Sequence, residues 1–179
     1  MTSFLFPDNT VLCNFAAARS LELLKSVLDE RGRWTEAVAY EATQSARVLP
    51  ELAVLEESGW LGKPIEVNDE KEIQAIDRIR RAVFGGSDVK PLQHLGEAQT
   101  CYLLQHRPEF ADSWWISDDR EAIRYARYQG ITTRETVDLV AEAVVGGLLT
   151  AKQGISLCRR MAEAGRALRL PVSEADLYR

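Results

Sequence analysis

Short apolar runs alternate with amphipathic stretches along most of the chain. The runs at residues 4–6 and 114–116 predict two strands, and shorter extended pieces are expected at residues 32–34 and 130–132. Apolar residues at helical spacing predict helices near residues 11–17, 20–29, 36–45, 70–84, 96–106, 121–129, 135–145 and 151–164, with another that opens at Pro50. This alternation predicts an α/β fold with a short, mainly parallel sheet and helices on both faces.

Length and composition favour a single compact unit. With 179 residues, 46% of them hydrophobic, we expect one domain over residues 1–179, with the C-terminal helices from about residue 135 packed on the same core. No apolar run approaches the ~20 residues that cross a bilayer, and the N-terminus lacks a secretory signal pattern. Three widely spaced cysteines predict buried free thiols in a cytoplasmic protein: Cys13, Cys101 and Cys158.

Charge narrows the classes of partner. The net charge of −5, from 22 basic and 27 acidic residues, excludes a strongly basic nucleic-acid binder. It does not exclude a metal-dependent enzyme that acts on phosphodiesters, because four carboxylates in one metal site would leave the remaining charges nearly balanced. A zinc site is disfavoured, since the chain has neither CxxC nor HxxxH spacing.

Four acidic positions stand where strands end or helices begin. Asp8 closes the first apolar run, and acids at the carboxyl end of a parallel strand lie where α/β folds bind ligands. Glu41, Glu97 and the Asp118–Asp119 pair occupy comparable positions further along the chain. If the fold brings them together, they form a set of oxygen ligands for a divalent cation.

Each acid also has a structural interpretation. Asp8 can cap the helix that follows it, and Glu97 in a first helical turn is favoured by the helix dipole. Glu41 on a helix surface can simply be solvated, and Asp118 with Glu121 three residues later fits a capping arrangement. Short acidic motifs alone therefore do not establish a site.

The order of these motifs resembles the PIN-domain family, whose best-known bacterial members are VapC-type toxin ribonucleases. The similarity extends from residue 4 to about residue 164. It rests on Asp8-Asn9-Thr10 after the first strand, a helix bearing Glu41, Leu95-Gly96-Glu97-Ala98 at a helix start, and Ser117-Asp118-Asp119-Arg120 after the second long strand. The chain departs from the family in placing Asn9 before Thr10 and in the long segment between Glu41 and Glu97.

The resemblance implies a three-layer α/β/α fold and an acidic pocket that binds Mg²⁺ or Mn²⁺. Asp8, Glu41, Glu97 and Asp119 are then the expected metal-binding and catalytic residues. Asp119 is preferred to Asp118 because it matches the family's Ser/Thr-x-Asp pattern. Asp8 and Asp119 are expected to ligate metal directly, while the two glutamates can ligate, hold metal-bound waters or orient the attacking water. Three neighbours are expected to support these acids: Asn9, Ser117 and Asp118.

The function implied is a metal-dependent endoribonuclease that cleaves single-stranded RNA, as the toxin of a toxin–antitoxin pair. A homodimer and an antitoxin protein are the expected partners, with no membrane association. The apolar residues Leu52, Leu55, Trp60–Leu61 and Ile73/Ile76 suggest a surface for such partners. The alternatives are a non-catalytic PIN-like binding or scaffold module, in which the acids serve as caps, and a response-regulator-like domain, which the lack of a late strand-end lysine disfavours.

Overall fold

The computed structural model describes residues 3–178. Three parallel strands form one sheet in the order β1 (Leu5–Pro7), β2 (Trp114–Ile116) and β3 (Thr132–Arg134). Leu5 pairs with Trp114, which pairs with Thr132, so the three strands end at one edge. The mixed α/β fold expected from the sequence is confirmed.

The helices follow the predicted pattern closely. Those in the described residues are α1 (Asn9–Ala17), α2 (Leu21–Leu28), α3 (Glu36–Ser45), α4 (Val54–Ser58), α5 (Glu70–Ala82), α6 (Leu95–His106), α7 (Arg120–Tyr128), α8 (Thr136–Val145) and α9 (Ala151–Glu163). Short 3₁₀ turns cover Pro50–Ala53, Pro108–Phe110 and Glu174–Tyr178. The helix expected at Pro50 is thus a 3₁₀ turn that runs into the short α4.

Two extended pieces differ from expectation. Residues 32–34 contribute only an isolated bridge between Gly32 and Leu5 rather than a strand. β3 starts at Thr132 instead of residue 130, because Gly130, with φ 79°, belongs to the turn that ends α7. A positive φ is readily adopted by glycine, so this residue turns the chain into the strand.

Two apolar clusters lie on opposite faces of the sheet and define the three layers. Successive strand side chains point to opposite faces. Leu5 and Ile116 accordingly belong to a cluster built with α1, α2, α3, α8 and α9. Phe6 and Trp115 belong to a second cluster, built with α5, α6 and α7. The C-terminal helices therefore contribute to the first of these clusters.

The apolar residues that suggested a partner surface are mostly internal. Leu52, Leu55, Leu61 and Ile76 are buried within the chain, whereas Ile73 is 49% exposed. This argument for a dimer is therefore wrong, because those four side chains are already covered. The three cysteines are buried free thiols, as expected. Within residues 3–178, none of the helices has the length and apolar character to cross a membrane.

Candidate active site

Asp8 lies one residue beyond β1, at the carboxyl edge of the sheet. Its backbone N–H donates to the carbonyl of Ile116 at 2.9 Å, which holds it against the end of β2. Its Oδ1 accepts from the backbone of Val11 at 2.9 Å and from the hydroxyl of Thr10, and its Oδ2 accepts from the hydroxyl of Ser117. Asp8 is therefore both the N-cap of α1 and a member of the edge. Burial, only partly offset by these hydrogen bonds, raises its pKa to about 6.

Asp118 follows β2 and faces the same edge. One carboxylate oxygen accepts from the side-chain amide of Asn14 at 2.8 Å and from the hydroxyl of Thr136, and the other accepts from the Thr136 backbone at 3.1 Å. Burial raises the pKa of Asp118, and its charge contributes to the raised pKa of Asp8. The Arg166 guanidinium extends this network, because its Nε donates to Asn14 Oδ1 at 3.1 Å.

Asp119 has a different role. Its side chain is exposed and caps α7, where Oδ1 accepts from the backbone N–H groups of Glu121 at 2.8 Å and Ala122 at 3.0 Å. The cap that the sequence suggested for Asp118 with Glu121 is therefore wrong, and Asp119 is the cap. Of the two adjacent acids, Asp118 is the one that interacts with Asp8 electrostatically.

Glu41 projects from α3 towards the start of α6. It accepts a hydrogen bond from the backbone of Gly96, and a Cβ added at Gly96 would lie 3.0 and 3.1 Å from its two carboxylate oxygens. The absence of a side chain at Gly96 therefore gives this carboxylate room against the helix N-terminus. Burial, with smaller effects from the charges of Glu97 and Asp8, raises the Glu41 pKa to about 8.

Glu97 occupies the first turn of α6 and is half-buried. Its Oε1 lies 3.3 Å from His94 Nδ1, at the left-handed residue that precedes the helix. The charge of Asp118 thus acts on Asp8, and the charges of Asp8 and Glu97 act on Glu41. The structure relates Asp8, Glu41 and Glu97 in this way. At the end of β2, the acid that acts on Asp8 is Asp118, while Asp119 caps α7.

The two other predicted supporting residues have distinct positions. Ser117 is buried, donates to Asp8 and accepts from the backbone of Asp119, so it orders the turn after β2. Asn9 instead joins α1 to α3, because its Nδ2 donates to the Ser45 hydroxyl at 3.0 Å. The sequence interpretation missed Asn14, Thr136 and Arg166. Of these, only Asn14 gave a local signal, because it is a polar residue in an otherwise apolar segment.

The donor set suits a hard divalent cation, although it is not a closed cage. Carboxylate and hydroxyl oxygens match the preference of Mg²⁺ and Mn²⁺, and a bound cation would relieve the repulsion among these acids. Among residues 3–178, however, no group of three Asp, Glu, His or Cys side chains is already spaced to hold a metal. The ligand atoms therefore suit Mg²⁺ or Mn²⁺, although the acids lie near one another only in pairs.

Comparison with known proteins identifies one family that matches most of the chain. The DUF3368 family model, described as a PIN domain, matches residues 6–174, which include all of the acids above. No curated protein and no solved structure matches the chain.

Proposed function

The chain belongs to the PIN-domain family, and from this premise we propose that it is a metal-dependent endoribonuclease that hydrolyses single-stranded RNA. One observation carries the proposal: four buried or half-buried carboxylates from separate segments lie near one another in pairs, with Asp8 and Asp118 at the carboxyl edge of a parallel sheet. PIN domains have a nuclease-type fold, and membership of this family supports a hydrolase. The dependence on Mg²⁺ or Mn²⁺ and the RNA substrate belong to the proposal.

The residues of the chain have definable roles in this reaction. Asp8 and Asp118 are the proposed direct ligands, because hydroxyl or amide donors fix both carboxylates at the sheet edge. Glu41 and Glu97 extend the site along α3 and α6, where they hold or orient water near the ion. When bound, the ion lowers the pKa of a coordinated water and offsets charge on the phosphate.

The choice of Asp118 over Asp119 gives the sharpest test. RNA cleavage is measured with Mn²⁺ or Mg²⁺, with a chelator as the metal-free control, in wild type, Asp118→Asn and Asp119→Asn. We expect cleavage only with metal and a far larger loss in Asp118→Asn, because Asp118 is the half-buried acid whose charge acts on Asp8, whereas Asp119 is exposed at the start of α7. Because Asn caps a helix about as well as Asp, Asp119→Asn should keep the cap of α7, and a melting curve checks that both variants remain folded.

A larger loss of cleavage in Asp119→Asn than in Asp118→Asn would indicate that Asp119 is the metal ligand. Equal and complete losses would mean that both acids are needed. No cleavage by pure wild-type protein with either metal would contradict the nuclease proposal.

A non-catalytic binding or scaffold module is the second candidate, and specific contacts favour it. Asp8 and Asp119 both cap helices, and the described acids are not preassembled as a metal cage. Under this alternative, Mn²⁺ leaves the melting temperature of the wild-type protein unchanged and RNA stays intact. Metal-dependent stabilisation that Asp8→Asn removes would contradict it.

We further propose that the protein acts in the cytoplasm as the toxin of a toxin–antitoxin pair, as a homodimer. This part rests on resemblance to VapC-type members. Co-expression with the product of the neighbouring gene tests the pairing, since rescue from growth arrest is expected only with a cognate antitoxin. A strictly monomeric mass at micromolar concentration by light scattering would contradict the dimer.

A further inference from the structure

A surface hollow of about 340 Å³ opens beside Glu41, between α3 and the start of α6. It is lined by Glu36, Ala37, Tyr40, Glu41, Leu92, Leu95 and Gln99. A larger hollow of about 860 Å³ involves Arg33 and Phe110 and includes none of the candidate acids. The smaller hollow is therefore the one that shares a wall with the candidate active site.

The walls of the smaller hollow are apolar and aromatic. Tyr40 precedes Glu41 on α3, and its side chain is 49% exposed. Leu92, also 49% exposed, and the half-buried Leu95 contribute aliphatic surface from the other side. An exposed tyrosine ring and aliphatic side chains in one hollow suit a flat, uncharged aromatic group.

The polar end of the hollow is built from Glu36 and Gln99. Gln99 is 5% exposed; its Oε1 accepts from the backbone of Ala37 at 3.2 Å and its Nε2 donates to Glu36 Oε1 at 3.1 Å. The backbone of Val67 donates to the same Glu36 oxygen at 3.2 Å. These bonds fix the carboxylate through Oε1, and within residues 3–178 its Oε2 accepts no hydrogen bond. One acceptor is thereby held in place and left available.

We propose that this hollow binds one nucleobase of the RNA substrate, next to the phosphodiester that the acids act on. The inference rests on the proposed function and adds a specificity site to it. Among the described residues, no Lys, Arg or His lines the hollow, so it suits the neutral base of a nucleotide and disfavours its phosphate. Bases of single-stranded RNA are typically bound by stacking on aromatic side chains and by hydrogen bonds to their edges.

The polar end also predicts which bases are preferred. An ionised carboxylate only accepts hydrogen bonds, so Glu36 favours a base that presents an exocyclic amino group. Cytosine, adenine and guanine have such a group, whereas uracil presents a single N–H between two carbonyl oxygens. We therefore expect discrimination against uracil at one position near the cleaved bond, with Tyr40 contributing affinity for any base.

Cleavage kinetics on short RNAs test both parts. The substrates are oligouridylates that carry cytidine, adenosine or guanosine at one position, with all-uridine RNA as the reference. Tyr40→Ala is expected to raise KM roughly 5- to 150-fold with kcat little changed, which corresponds to the loss of one stacked base. Tyr40→Phe should recover most of that loss, and Glu36→Gln should reduce the preference for amino-bearing bases over uracil.

Tyr128→Ala is the matched control. Tyr128 is 85% exposed at the C-terminal end of α7 and does not line the hollow, so its loss should leave KM unchanged. Melting curves establish that each variant is folded. Binding of fluorescein-labelled RNA to Asp8→Asn, with and without Tyr40→Ala, measures the base site independently of cleavage.

The outcomes separate this inference from the nuclease proposal. If wild type cleaves RNA while Tyr40→Ala keeps the wild-type KM on every substrate, the base site is refuted and the nuclease remains. If wild type cleaves no RNA, the nuclease proposal fails. Equal RNA affinity of Asp8→Asn with and without Tyr40→Ala would then refute the base site as well. If Tyr40→Ala weakens only the complex with a neighbouring gene product, the hollow docks protein and the inference is wrong.

Discussion

Glu41→Gln should stabilise the metal-free protein while removing its response to metal. The carboxylate of Glu41 lies against Gly96, half-buried and near the charges of Glu97 and Asp8. These surroundings disfavour its ionised form, whereas Gln has nearly the same shape and no charge. The side-chain oxygen of Gln can still accept the hydrogen bond from Gly96.

The size of the effect follows from the raised pKa. The folded protein holds the Glu41 proton more tightly than the unfolded chain, with a pKa of about 8 against an ordinary value of 4.5. Wild-type stability therefore falls as pH rises from 4.5 to 8, and the penalty at pH 7 reaches about 3 kcal/mol. Solvent relaxation around a half-buried group lowers the expected gain of Glu41→Gln to about 1–3 kcal/mol. At this chain length, that gain raises the melting temperature by about 2–12 °C.

Thermal melting between pH 4 and pH 8 without metal measures the difference. We expect Glu41→Gln and wild type to melt together near pH 4 and to diverge as pH rises. Glu56→Gln is the control, because Glu56 is an exposed helical acid in α4 and its replacement should produce no comparable divergence. A pH-independent difference, or a destabilised Glu41→Gln near pH 8, would refute the reasoning about charge.

Three further predictions concern the same edge of the sheet. Mn²⁺ should raise the melting temperature of wild type, and Asp8→Asn should lose most of this rise; an unchanged rise in that variant would exclude Asp8 as the organising ligand. Gly96→Ala should reduce metal-dependent cleavage, because its Cβ would crowd the Glu41 carboxylate and the Val38 side chain, and the helix propensity of Ala, worth about 1 kcal/mol, offsets part of the cost in stability; unchanged kinetics would mean that Glu41 adjusts to the methyl group without losing its role. Thr136→Val should reduce cleavage more than Asp119→Asn, because it removes a hydroxyl donor to Asp118, and equal activities would argue against the Asp118 assignment.

Features encoded by neighbouring residues were predictable from the sequence. α3 begins at Glu36 as predicted, capped by Thr35 through the backbone N–H of Val38, and α6 begins at Leu95, one residue before its predicted start. β2 coincides with its apolar run at Trp114–Ile116. The cap of α3 lies within three residues of its partner, and β2, although its partners are distant, is marked by its own apolar run. A local pattern is therefore sufficient to predict these elements.

The choice between Asp118 and Asp119 could not be predicted in this way. Both acids follow the same strand, and either can satisfy a local helix cap. Asn14 lies 104 residues away from Asp118 and Thr136 lies 18 away, and these two side chains draw its carboxylate to the edge. Contacts over such separations depend on the assembled sheet, so the local motif favoured the wrong cap.

Asp8 shows that the structural and functional interpretations of one acid are compatible. Its Oδ1 caps α1 through Val11, and Ser117 fixes its Oδ2 from the adjacent strand end. The cap orients the carboxylate with little rotational freedom, which is what a preorganised ligand requires. Because burial also makes its ionised form costly, this carboxylate would be stabilised by a cation that binds at the edge. The same contacts that complete a helix thus prepare Asp8 for the proposed chemistry.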